Sequence, residues 1–198
     1  MVTPTGRPRP DAAQSTRADA VRSRQKLLAA AAEVFVESGV DAPVREVAAR
    51  AGVGMGTLYR HFPTRPDLVV AVFRHQVEEC AEAGPRLLAD NDSPLEALRQ
   101  WIDIFVDFLV TKHGLAHTEQ PDSRGFGALH TYFLDRLLPV AEELLGAAAD
   151  AGEIRSGIQP YEFMRGIGNL CIAPDAPRYD PRRLIGLLLR GIQQPQAS

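Results

Sequence analysis

From residue 21 onward, the apolar side chains of this 198-residue chain recur at spacings of three and four. That period puts them on one face of an α-helix, which turns once in about 3.6 residues. Leu28, Ala31, Ala32 and Phe35 make one such face, and Leu95, Leu98, Ile102, Phe105 and Leu109 a second. Leu129, Phe133, Leu137, Val140 and Leu144 make a third, over about 126–150. No stretch alternates convincingly between apolar and polar over a strand length, and the β-branched residues are scattered. The pattern predicts an all-α chain.

Punctuation residues divide the pattern. Ser38-Gly39 stops a first helix predicted over 21–38. Pro43 suits a first helical turn, and Val44, Val47, Ala48 and Ala51 give a short second helix ending at Gly52. After Val53 a third short helix holds Thr57, Leu58, Tyr59 and Arg60. Phe62 ends it before Pro63, and Thr64 with Asp67 opens a fourth helix that continues to about Gly84. Pro139 is expected to kink or divide its helix, since it removes one backbone bond and crowds the Asp135 carbonyl. "DAGEIRSGI" (150–158) reads as an exposed turn, and Pro160 and Pro181 each open a further helix. The predicted organisation is a flexible basic arm (1–20), a three-helix head (21–66), a larger helical body (67–192) reached through the fourth helix, and a tail (193–198).

Residues 1–65 carry ten Lys/Arg against six Asp/Glu, net +4, whereas residues 66–198 carry twelve against nineteen, net −7. A basic first third on an acidic remainder suits contact with a polyanion. Arg7, Arg9, Arg17 and Arg22 would add non-specific affinity of that kind. No apolar run approaches the roughly 20 residues that span a bilayer, and no secretory signal is visible, so no membrane partner is expected. Cys80 and Cys171 are too few for a disulfide framework and lack metal-site spacing, as two buried thiols of a cytoplasmic protein would be.

The stretch "AGVGMGTLYRHF" (51–62) carries the most chemistry. Two short helices joined at Ala51-Gly52-Val53 match a helix-turn-helix, whose second helix enters a DNA major groove. Gly54 and Gly56 let backbone N–H groups come close to a phosphate, and Thr57 can offer a hydroxyl or methyl to a base edge. Tyr59, His61 and Arg65 can reach phosphate oxygens, Arg45 near the start of the second helix is another candidate, and Arg60 lies in the same basic-aromatic run. Leu58, Phe62, Val47 and Ala48 read as core.

The run from Arg24 to Phe73, with "AAEVFVESG", "VAARAGV", "GTLYRHF" and "PTRPDL" in that order, resembles the N-terminal domain of the TetR family of bacterial transcription regulators. The resemblance implies a homodimer whose heads bind successive major-groove half-sites of a near-palindromic double-stranded operator, roughly 34–36 Å apart. It further implies a body that binds a small-molecule effector, a dimer interface made by the last two helices, and a repressor released by that effector. Tyr59 and His61 match positions that contact phosphate in the family, Arg65 stands where lysine is common, and Thr57 is the threonine of "GTLY". The chain departs from the pattern at Gly54, in place of a serine N-cap, and at Met55, in place of a polar or basic residue. Met55 is left to pack against sugar or a thymine methyl, or to point away. Pro43 replaces a frequent hydroxyl residue, for which Arg45 can compensate.

Beyond residue 80 the resemblance is weak. An effector pocket should be mostly apolar with a few polar groups. Trp101, Phe105 and Phe108 on one helix and His130, Tyr132 and Phe133 on another are the candidates, set against the plainer reading of an aromatic core stripe. A buried Trp101 indole or Tyr132 phenol needs a polar partner. His113 and His117, four apart with Glu119 nearby, fit a metal site poorly, and solvated or hydrogen-bonded histidines are expected instead. There is no phosphate-binding loop, nucleophile elbow, dinucleotide fingerprint or zincin motif, so neither enzyme activity nor a cofactor is expected. A ligand-insensitive DNA binder and a helical protein-interaction module are the alternatives, the second opposed by the charge of the head and by "GTLYRHF".

Overall fold

The structure, a computed structural model, describes the backbone of residues 10–116, 123–172 and 179–194, and the side chains of 18–109, 128–172 and 179–194. Among the described residues there are eight helices and no strand: α1 (Pro10–Ser38), α2 (Val44–Ala51), α3 (Met55–His61), α4 (Arg65–Asp90), α5 (Pro94–Ala116), α6 (Ser123–Asp150), α7 (Pro160–Cys171) and α8 (Pro181–Ile192). The chain forms two compact units, residues 1–72 and 73–198, dividing inside α4.

In the first unit, the head, α1 packs against α2, and Leu27, Leu28, Ala31, Phe35, Val47 and Leu58 are among the side chains lost to solvent. α1 begins at Pro10, well before the expected residue 21, so residues 10–20 of the expected arm are helical, and residues 1–9 lie outside the described residues. Residues 18–22 are exposed, and a helix bathed in water shows no apolar stripe to detect. Proline at a first helical position followed by Asp-Ala-Ala supplies the start. Arg17 lies in this helical stretch and Arg22 pairs with Asp19, while Arg7 and Arg9 lie outside the described residues.

In the second unit, the body, Trp101, Phe105, Ile102, Leu137, Leu144 and Ile167 are fully buried where α4, α5, α6 and α7 meet. Gly84 does not end α4. It lies inside the helix, where an added methyl group would sit 2.2 Å from Cγ1 of Val140 on α6, so the bare backbone permits the close approach. Pro85 and Pro139 both lie inside continuous helices, and both are exposed. A carbonyl freed by an exposed proline can bond to water, which explains why neither helix is divided.

The 150–158 turn is less exposed than its composition suggests. Ile154 is only 1% exposed and bridges to Gln193. The Glu153 carboxylate accepts the Leu95 backbone N–H at 2.6 Å, satisfying one donor at the start of α5. Arg155 N–H donates to the Ile192 carbonyl at 2.9 Å, and Gln194 N–H to that of Glu153 at 3.1 Å. The turn therefore clasps α5 to the end of α8. Asp180 caps α8, accepting the Arg182 N–H at 3.0 Å.

Candidate functional site

The head's two short helices are joined by a tight C-terminal cap. Gly52 has φ +66° and ψ +33°, a left-handed conformation that glycine adopts at little cost. Its N–H donates to the Ala49 carbonyl at 3.1 Å and that of Val53 to the Ala48 carbonyl at 3.0 Å, the Schellman pair of bonds. α3 then starts at Gly54, which offers no side-chain cap, although the N–H groups of Thr57 and Leu58 reach its carbonyl at 2.9 and 3.2 Å.

α3 is anchored on one side only. Leu58 and Phe62 are buried, one helical turn apart, and the Arg24 guanidinium covers the Phe62 ring at 5.5 Å. Gly56, Tyr59 and Arg60, at i, i+3 and i+4 on the other side, are exposed, with Tyr59 at 49%. Met55, Thr57 and His61 are half-buried, and Arg45 and Gly54 are exposed. A methyl group built on Gly54 or Gly56 meets no atom within 4 Å, so nothing inside the head requires glycine at either position.

Arg65, expected to reach phosphate, has partners inside the head. Its Nη2 donates to the Val40 carbonyl and, at 2.8 Å, to that of Ala42. Half-buried, it ties the start of α4 to the turn between α1 and α2 instead of extending into solvent. Two further ties stiffen the head. Thr64 Oγ1 donates to Asp67 at 2.7 Å while Asp67 N–H donates back to Thr64 Oγ1 at 3.3 Å, a reciprocal cap of α4. Arg50 donates to Glu37 at 2.7 Å and lies 3.7 Å from Glu33, joining α2 to α1. The bond from Arg50 holds Glu37 below the usual carboxylate range.

The body contains a half-open pocket of about 230 Å³ between α5, α6 and α7, at which His130, Tyr161, Arg165, Asn169 and Ile172 are exposed. Phe105 and Leu109 come from α5, and His130, Phe133 and Leu134 from α6. α7 adds Tyr161, Met164, Arg165 and Asn169. Phe105 and Phe133 stack at 6.0 Å and 19°, and His130 continues the stack onto Phe133 at 6.0 Å and 21°. The Tyr161 hydroxyl receives Arg165 Nη1 at 3.1 Å. Apolar rings thus form one wall and polar groups of α7 another.

Three of the six ring residues expected at a pocket, Phe105, His130 and Phe133, line this cavity; Trp101, Phe108 and Tyr132 do not. Trp101 is fully buried with its indole N–H on the Cys80 carbonyl at 2.9 Å, and it stacks on Phe105 at 5.4 Å and 8°. Phe108 sits behind the cavity wall, 5.6 Å from Phe133 and 5.4 Å from Phe73. Tyr132 turns away, donates to Glu78 and lies under the Arg74 guanidinium at 5.2 Å. Arg136 Nε also donates to Glu78, at 2.8 Å. That bond outweighs partial burial and holds Glu78 below the usual carboxylate range, while burial pushes the Tyr132 phenol up.

Sequence reasoning missed Tyr161, Arg165 and Asn169. Their spacing of four on α7 was a signal of a shared face, but not of what that face meets. Cys80 and Cys171 are both buried free thiols, and burial pushes Cys80 up to about 12. Neither is poised as a thiolate. The described residues hold no group of three His, Cys, Asp or Glu fit for a metal ion, and the His113 side chain, His117 and Glu119 lie outside them. No described helix is long and apolar enough to cross a membrane.

Comparison with known proteins agrees with this geometry. Residues 27–72 match the bacterial regulatory proteins of the tetR family, and residues 93–194 match the C-terminal domain of SbtR-like transcriptional regulators. The fold resembles a TetR transcriptional regulator from Streptomyces coelicolor, with a TM-score of 0.77 and 38% identity over 88% of this chain and 99% of that one. The transcriptional activator FasR of Mycolicibacterium smegmatis is 28% identical over 165 residues, 79% of this chain and 71% of its own. A transcriptional regulator of Staphylococcus aureus is 30% identical over 102 residues, 51% of this chain; the match spans about half of that relative, 55%. With both its head and its body matched, the chain belongs to the TetR family of bacterial transcriptional regulators.

Proposed function

We propose that this chain is a homodimeric, non-enzymatic DNA-binding regulator of the cytoplasm, and that a small molecule in the body cavity controls its hold on a near-palindromic operator. The observation that carries the DNA reading is the two-sidedness of α3: Leu58 and Phe62 are buried, while Gly56, Tyr59 and Arg60 are exposed. Gly54 and Gly56 have no internal reason to be glycine, which supports close approach by an outside surface such as a phosphate backbone. Tyr59, His61 and Arg45 would hold phosphates, and Thr57 with Met55 would face base edges or sugar. Arg65 acts as a strut that fixes α4 to the head.

Dimerisation through α7 and α8 is supported by the second apolar face of α8. Ile185, Leu189 and Ile192 are buried and Leu188 packs against the same core, yet Leu184 and Leu187 lie outside it, with Leu187 at 51% exposure. Such a face in a monomer calls for a partner. Effector control follows if the ligand prefers the body of a dimer whose heads fit the operator poorly, since it then weakens operator binding by that preference. We take the regulator to be a repressor. The relative FasR is an activator, so activation is the second reading.

The DNA face is tested by comparing Tyr59→Phe/Arg60→Ala with the parent chain on duplex from its own promoter, using fluorescence anisotropy and circular dichroism. The variant should keep its helicity and bind at least about tenfold more weakly, as loss of a phosphate hydroxyl and a cation implies. Unchanged affinity would remove α3 from the interface. Transcription from that promoter in vitro, with and without the protein, separates repression from activation.

A further inference from the structure

The cavity is selective in shape and in charge. The Phe105 and Phe133 rings lie within 19° of parallel, and His130 is within 21° of Phe133. A wall of nearly parallel rings favours a flat, aromatic guest that lies against it. At about 230 Å³ the space is roughly one and a half times an apolar cavity of about 150 Å³ that accepts benzene, which suits two fused rings with a small substituent.

Charge narrows the class. Among the described lining residues there is one guanidinium, Arg165, and one imidazole, His130, and no Asp or Glu. Arg165 Nη1 donates to the Tyr161 hydroxyl at 3.1 Å, so the guanidinium has a partner on α7 itself. Asn169, four residues on, adds an amide beside it. A guanidinium fork pairs best with a planar carboxylate, through two parallel bonds.

We infer that the effector is a planar bicyclic aromatic acid, its rings against the Phe105 and Phe133 wall and its carboxylate on Arg165 and Asn169. This rests on the proposed role of the cavity as the effector site.

Calorimetric titration of the full-length protein with 2-naphthoate, the neutral 2-naphthamide and the cationic 2-naphthylmethylammonium tests it. The carboxylate should bind about tenfold more tightly than the amide, and the cation most weakly. Arg165→Met should bring the carboxylate down to the amide's affinity, a change that a merely structural role for Arg165 would not confine to the anion. Phe133→Leu should weaken all the probes that bind. A cation bound as well as the carboxylate, an unchanged preference in Arg165→Met, or no binding by any of the three overturns the inference. The regulator reading is separated by a second arm, promoter binding by the unliganded protein and again with saturating 2-naphthoate. Promoter binding without probe binding retains the regulator and rejects this ligand class. Probe binding with no change in promoter affinity retains the ligand class and rejects effector control.

Discussion

In the head, a methyl group built on Gly54 or Gly56 meets open space, whereas in the body a methyl group on Gly84 would sit 2.2 Å from Val140. The same residue type answers to two different demands. Gly84 lets α4 and α6 approach within one protein, so its cause is internal and complete. The α3 glycines bare a surface that nothing among the described residues fills. The two cores differ likewise. The body is held by a stack of rings running from Trp101 through Phe105 to Phe133, with ion pairs of Arg136 to Glu78 and Arg182 to Asp103 around it. The head is smaller and adds polar ties: Arg50 to Glu37, Arg65 to the Val40 and Ala42 carbonyls, and the Thr64–Asp67 cap. The body thus offers a half-open pocket beside a filled core, and the head an exposed helix face.

The contrast breaks first if the ring stack is dispensable. Phe105→Ala should cost about 3–5 kcal/mol of stability, by lost burial and a cavity among Trp101, Phe108 and Phe133. Chemical denaturation measures it, and a cost under about 1 kcal/mol would mean that the stack is not the body's core. Next in size, Gly84→Ala should cost about 1–3 kcal/mol through overpacking against Val140. Val140→Ala in the same chain should return part of that loss, and strict additivity of the two changes would deny the contact.

Gly56→Ala sharpens the comparison from the other side. In a helix, with room for the methyl group, it should stabilise the head by about 0.5–1 kcal/mol while weakening promoter binding. Loss of both stability and binding would make Gly56 an internal requirement after all. The smallest effect concerns pH. Glu78 is held below its ordinary range in the folded body by Arg136, so its contribution is present above the unfolded carboxylate value and is lost as pH falls through the folded one. Glu78→Gln should therefore flatten the fall in stability on acidification below about pH 5, by no more than about 1 kcal/mol for so solvent-accessible a pair. Identical pH profiles would remove Glu78 from the acid response.

Local signals were legible and distant ones were not. The α2 and α3 boundaries could be read because Gly52 and the Thr64–Asp67 cap act within a few residues. Leu58 and Phe62 declared themselves as core by their spacing. Arg65 could not be read, since its acceptors lie 23 and 25 residues upstream. Gly84 looked like a stop because its reason, Val140, is on another helix. The start of α1 was hidden because its sequence carries no apolar stripe. The same limit divided the aromatic candidates: Phe105, His130 and Phe133 face a cavity while Trp101, Phe108 and Tyr132 do not, and periodicity treats a cavity wall and a packed core alike.

The central claim is that α3 presents its open face to duplex DNA. Its most direct test is the affinity of the full chain for duplex from its own promoter, followed as salt rises from about 50 to 200 mM. Binding driven by phosphate contacts should give log affinity falling linearly with log salt, by about 10³-fold or more if six or more phosphates are neutralised. An affinity that stays flat across that range, or no binding at its low end, would contradict the account.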